Sequence, residues 1–273
     1  MTSKQGTNST RPFNNEYHPI HSRNSKSCLK NNTINERRSP SSALLESINH
    51  YYTSLGGTRE TMRPDTDLNG CFAVRLALFL AETISGNRFR LDEEGCFTGS
   101  FYRHCLDKAA EAGLADEIND PELLVIYMKQ CLRLLDTSGI LSREKRWARV
   151  NGAELSASTI YHRLFNAFWN ITPWEDLFPS DSESARELKT VRGIFKELLL
   201  RRHGTMSLGA VANEFFEMTG FSSKNNLFMI SFLDFYLFTW LRHFGMVRYL
   251  TEGDSAPVRI TVTDSGRKSL NSF

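Results

Sequence analysis

Residues 227–268 read LFMISFLDFYLFTWLRHFGMVRYLTEGDSAPVRITVTDSGRK. An apolar run from Leu227 through Trp240 and Leu241 stops at Gly245, and Met246 and Val247 begin a strand. An acidic turn follows, after which Val258, Ile260 and Val262 form a second strand that runs into Thr263, Asp264, Ser265, Gly266, Arg267 and Lys268. Apolar residues at helical spacing, then at period two on either side of a turn, are the pattern of a helix leading into a β-hairpin. The order predicts the last helix and β-wing of a winged-helix unit.

Working back from this stretch, two helical stripes precede it. Leu188, Val191, Ile194, Phe195, Leu198 and Leu199 make one, and Val211, Ala212, Phe215 and Phe216 the other. Three helices and two strands complete the winged-helix order over residues 183–273. Pro173, Pro179 and the Ser-rich acidic run Ser180 to Glu183 mark the boundary before it.

The same ending is echoed upstream. With Leu135 set on Leu241, Gly139 falls on Gly245, and Ile140-Leu141 matches Met246-Val247. A second match sets Leu91-x-x-x-Gly95 on Val262-x-x-x-Gly266, each an acidic turn leaving a strand. Helices are expected over Ala43–Tyr52, Phe72–Ile84, Phe101–Ala110, Leu123–Leu135 and Ile160–Trp169, the fourth opened by Asp120 as N-cap and Pro121 in the first turn. Trp147, Ala148 and Val150 supply the partner of a strand beginning at Ile140. The expected fold class is mostly α with short β-hairpins, as tandem winged-helix-like units over residues 43–179 and 183–273. A disordered basic tail over residues 1–42 precedes them, too poor in apolar residues to offset its ordering entropy.

The segments Gly113-Leu114, Leu132 to Leu135, Gly139-Ile140 and Leu164-Phe165, with Asn87 to Gly95 ahead, resemble uncharacterised bacterial helical proteins related to plasmid-encoded open reading frames and SEC-C-linked modules. The resemblance covers residues 71–178. It implies a winged, α-helical architecture and carries no activity with it. Asp92 stands where that pattern has a threonine after the strand leucine.

Of the 273 residues, 40% are hydrophobic and 23% charged, values that suit a folded chain. No uncharged apolar stretch of about 18 residues and no basic-then-apolar leader is present, so no membrane partner and a cytoplasmic location are expected. Five cysteines without Cys-x-x-Cys spacing predict buried free thiols. The net charge of +2 divides unevenly: +5 over residues 1–42, −6 over 43–182 and +3 over 183–273.

Neither a phosphate loop, a His-Glu-x-x-His nor a nucleophile with its base occurs in the sequence. His104, His162, His203 and His243 are scattered. No catalytic, cofactor-binding or metal-binding residue is assigned, and the expectation is a non-enzymatic binding protein. Double-stranded DNA is the first expected partner, through the C-terminal unit, with Lys224, Arg242, Arg248, Arg259, Arg267 and Lys268 as candidate phosphate contacts. The alternative is a protein interaction or oligomerisation module without nucleic-acid binding. For this, the aromatic helix 227–244, apolar on nearly every side, is the expected homodimer contact.

Overall fold

The computed structural model describes residues 70–151, 156–220, 233–250 and 259–273. The tail 1–42, the helix expected over residues 43–52 and Lys224 lie outside the described residues. Within them the chain is mostly helical, with short strands in small antiparallel sheets.

The first half opens with α1 (Phe72–Gly86), which buries Phe72, Ala73, Val74, Leu76, Ala77 and Leu80, on more than one side of the helix. Arg90 and Leu91 follow as a minimal strand, pairing with Trp147 and Phe97. Next come α2 (Gly99–Ala109) and α3 (Pro121–Thr137). The Asp120 carboxylate starts α3 as expected, accepting from the amides of Glu122 at 2.8 Å and Leu123 at 3.2 Å. β1 (Leu141–Glu144) and β2 (Trp147–Val150) pair with Leu141 opposite Val150. α4 (Ala157–Asn166), capped by the Ser156 hydroxyl, then runs into a π-helical turn at Ala167–Ile171.

A short α5 (Trp174–Leu177) leads to α6 (Ser182–Arg201), β3 (Thr205–Ser207) and α7 (Leu208–Thr219). After the undescribed residues 221–232 comes a π-helical turn at Asp234–Phe238 that continues as α8 (Thr239–His243). The chain closes with β4 (Val247–Leu250), β5 (Arg259–Val262) and α9 (Asp264–Ser272).

The two halves therefore share one order: helix, strand, helix, helix, strand, strand, helix. They also share one strand arrangement. In the second half β5 lies between β3 and β4, and in the first β2 lies between the Arg90 strand and β1. Both third helices end the same way. Ile140 N–H bonds the Leu135 carbonyl at 3.0 Å and Gly139 N–H that of Asp136 at 3.1 Å; Met246 and Gly245 make the same pair to Leu241 and Arg242 at 2.9 and 2.8 Å. Each glycine is left-handed, with φ +71° and +67°, which this helix ending requires.

Two expectations need correction. The segment Thr263 to Lys268 is not the exit of a wing but the start of α9. Thr263 caps it, accepting from Gly266 N–H at 2.9 Å while its own hydroxyl donates to the Gly245 carbonyl at 2.8 Å. Gly266 is needed for close approach, because a Cβ there would overlap the Met246 carbonyl and lie 2.7 Å from its Cα. It follows that Leu91–Gly95 and Val262–Gly266 are not equivalent, since the first leaves the opening strand of its half and the second leaves the closing one.

The cysteines also divide. Cys71, Cys105 and Cys131 are free and buried as expected, and burial pushes the Cys71 thiol up to about 11. Cys96 is instead disulfide-bonded.

A single hydrophobic cluster runs through both halves. Its centre is aromatic: Phe165 and Phe168 from α4 and its π turn meet Phe244 at 5.1 and 5.8 Å between ring centres, and Trp240 lies 5.6 Å from Phe168. Corresponding helices touch across this seam. α4 meets α9 where the Tyr161 hydroxyl donates to Ser269 at 3.0 Å, and α3 meets α8 through Gln130 and Trp240.

Candidate nucleic-acid interface

The groove contact expected of a winged-helix unit needs a third helix that presents polar side chains outward. Neither third helix offers a polar reading face: the open side of α3 holds exposed Ile126 and Glu122 beside half-buried Lys129 and Arg133, the latter paired with Asp176. α3 buries Leu124, Tyr127, Met128, Gln130, Cys131, Leu132, Leu134 and Leu135. In the second half, Leu233, Tyr236, Leu237, Phe238, Trp240, Leu241 and Phe244 are all buried.

The polar groups inside this seam serve packing. Buried Gln130 donates to the Leu177 carbonyl at 3.0 Å and accepts from the Trp240 indole at 3.2 Å, so both ends of its amide are bonded. Asp234, an acid within the aromatic helix, accepts from the Tyr249 hydroxyl, which accounts for its burial. The His243 ring packs 4.5 Å from Phe72 and 4.6 Å from Tyr127. Desolvation, reinforced by Arg242, holds its pKa well below the ordinary histidine value, so it is neutral. The homodimer contact expected of helix 227–244 meets an obstacle here: over its described part, that face is already occupied by α1, α3 and α4 of the same chain.

The candidate cations are scattered over different elements. Arg242, half-buried at the end of α8, stacks 5.2 Å over the Tyr249 ring. Arg267 belongs to α9, where its guanidinium donates to the Leu200 carbonyl at 3.1 Å and to that of Arg202, satisfying the end of α6. It is thus a helix cap rather than a wing residue. Lys268, also on α9, is exposed. Arg248 and Arg259 share the outer face of the β3–β5–β4 sheet with Thr205 and Thr261, whose hydroxyls lie 3.1 Å apart.

The basic helix α6 offers less charge than its sequence suggests. The Lys189 ammonium donates to the Phe168 and Trp169 carbonyls at 2.7 and 2.6 Å and lies 5.0 Å over the Trp174 ring. It catches carbonyls left open by the π-helical turn of the other half. Burial, with Arg192 nearby, brings its pKa down to about 7.

Sequence reasoning missed a second basic surface. The β1–β2 hairpin and the Arg90 strand beside it expose Arg90, Lys145, Arg146 and Arg149, inside a stretch whose overall charge of −6 hides them. The signal was present as the local run Arg143 to Arg149, in which Glu144 is the lone acid.

Among the described residues no three His, Cys, Asp or Glu side chains gather as a metal ligand set, and no helix is long and apolar enough to cross a membrane. No family model matches the chain, and neither a curated protein nor a solved structure does.

Proposed function

We propose that this chain is a non-enzymatic binding protein of two winged-helix-like units joined face to face, and that it engages duplex DNA through sheet faces and hairpins. One observation carries the reading: each third helix, over its described residues, gives most of its surface to the seam, while the outward face of each sheet carries exposed arginine, Arg90 and Arg149 in the first half and Arg259 in the second. Arginine on an exposed face suits phosphate contact, which positions a protein on DNA without reading sequence. Recognition of this kind is driven by counterion release and favours little sequence discrimination.

The test is retention of the full chain on duplex DNA as ionic strength is varied. The logarithm of affinity should fall linearly with the logarithm of salt, by about 0.9 for each phosphate neutralised. Absence of retention at about 50 mM salt sinks the proposal, because a phosphate-driven contact is strongest there. A protein-interaction role without nucleic acid is the second reading, favoured by the −6 charge of residues 43–182. Self-association of a chain that DNA does not retain would select it.

A further inference from the structure

The β1–β2 hairpin combines three features that packing does not explain. The first is Trp147. Of the four tryptophans, Trp169, Trp174 and Trp240 are 3%, 0% and 1% exposed, whereas Trp147 is 47% exposed. Burying an indole is among the larger single gains available to a fold, and Trp147 is the one indole that this fold sets at the surface, beside the hairpin loop.

The second is the charge around it. Trp147 is flanked across the sheet by Arg90 on one side and by Glu144 on the other, and two residues along its own strand by Arg149, on the same outward face. Lys145 and Arg146 form the two-residue loop beside it. Arg90, Lys145 and Arg149 make no ion pair among the described residues, and Arg146 has only exposed Glu93 at 3.9 Å. The acids nearby are Glu93, Glu94 and Glu144; Asp92 is turned to the Cys96 amide at 2.6 Å. Arg143 is committed inward, to Asp136 at 3.1 Å and to the Gly95 carbonyl.

The third is strain. Among the described residues Lys145 is the one non-glycine residue with positive φ, at +57°. Two-residue hairpin loops of this kind favour glycine or asparagine there, so a lysine is held at the tip against its own backbone preference.

Resting on the DNA reading above, we propose that this hairpin is the wing that grips the duplex: Trp147 enters the minor groove as an apolar wedge while Arg90, Lys145, Arg146 and Arg149 hold the phosphates on either side. Four cations outnumber Glu93, Glu94 and Glu144 around the indole and favour a polyanion, and the exposed indole supplies the flat apolar edge that groove-inserting side chains use.

Because the other three tryptophans are buried, iodide quenching of intrinsic fluorescence reports on Trp147. With the full chain and a short labelled duplex, DNA should protect this emission from iodide. Trp147→Ala should bind about 10-fold more weakly, as expected for loss of one aromatic contact to nucleic acid. Arg146→Ala with Arg149→Ala should lower the salt slope by about 2. Lys145→Gly should raise the melting temperature by a few degrees while weakening binding; a purely structural lysine would give the first effect without the second. If the chain binds duplex with Trp147 still open to iodide, and these variants bind like wild type, the wing assignment is overturned and the DNA reading stands. If wild type does not bind duplex at low salt, both fall.

Discussion

Setting the two hairpins side by side, Leu141 corresponds to Val247, Ala148 to Ile260 and Val150 to Val262, and these residues pack inward in both. On the outward face the correspondence of character is lost. Trp147 stands at the position of Arg259, Arg149 at that of Thr261, and Ser142 at that of Arg248. The connecting loops differ as well, since Lys145-Arg146 is basic while residues 251–258 carry Glu252 and Asp254 and no base. The period of two in a strand divides these roles. Inward positions answer to the shared core and keep one chemistry. Outward positions answer to whatever meets the surface, and there the halves diverge.

This comparison assumes that the halves form one folding unit, which substitution at the seam can break. Trp240 is fully buried, bonded to Gln130 and stacked near Phe168. Trp240→Ala should cost about 3–5 kcal/mol, the usual range for removing a large core aromatic. Thermal unfolding followed by circular dichroism should show one cooperative transition at lower temperature. Two resolved transitions, with only the second half destabilised, would mean that the halves fold separately and merely touch.

A smaller effect sharpens the contrast between dry seam and wet hairpins. His243 is neutral in the folded chain because burial disfavours its charge, and Arg242 adds to this; Phe72, Tyr127 and Trp240 surround the ring. Its folded pKa lies below the unfolded value of 6.5, so its contribution is fully present above pH 6.5. As pH falls below that value the unfolded chain takes a proton that the native chain resists. Stability should then decline by about 1 kcal/mol per pH unit until the native ring also titrates. Denaturant titrations from pH 7.5 to about 5 on wild type and His243→Leu would isolate the term. Equal slopes for the two proteins would show that the seam admits water to this ring.

Much of this fold was legible from periodicity. The stripes of α1, α3, α4 and α6, the Asp120-Pro121 start and the Gly139 and Gly245 endings all reflect local chemistry. β3 was not legible, because the three residues of Thr205–Ser207 are too few to establish an alternation. Its partner β5 lies more than fifty residues away. α9 was missed for a related reason. Thr263 through Lys268 contains one glycine and no apolar stripe, and Gly266 looked like a turn when its role is to let α9 approach Met246. The candidate cations failed differently. Among them Arg267 is counted as charge in sequence but spent as a helix cap in the fold, as is Lys189 outside that set, a distinction that only tertiary contacts make. The hairpin cations were overlooked because net charge averages over a span far longer than the surface a ligand meets.

The mildest test bears on whether the repeat itself is real. Gly139 and Gly245 both end a third helix with positive φ and the same pair of backbone bonds. Neither is crowded: a Cβ at Gly139 would meet nothing within 4 Å, and one at Gly245 would lie 3.5 Å from the Cys71 Cβ, an ordinary contact. Alanine at each site should therefore cost only the left-handed backbone penalty, about 1 kcal/mol, and nearly the same amount in both. Because the sites belong to different halves with no shared partners, the double variant should lose the sum. A large inequality between the two single variants, measured by denaturant midpoint at constant m-value, would show that the two glycines do different work and that the likeness of the halves stops at their topology.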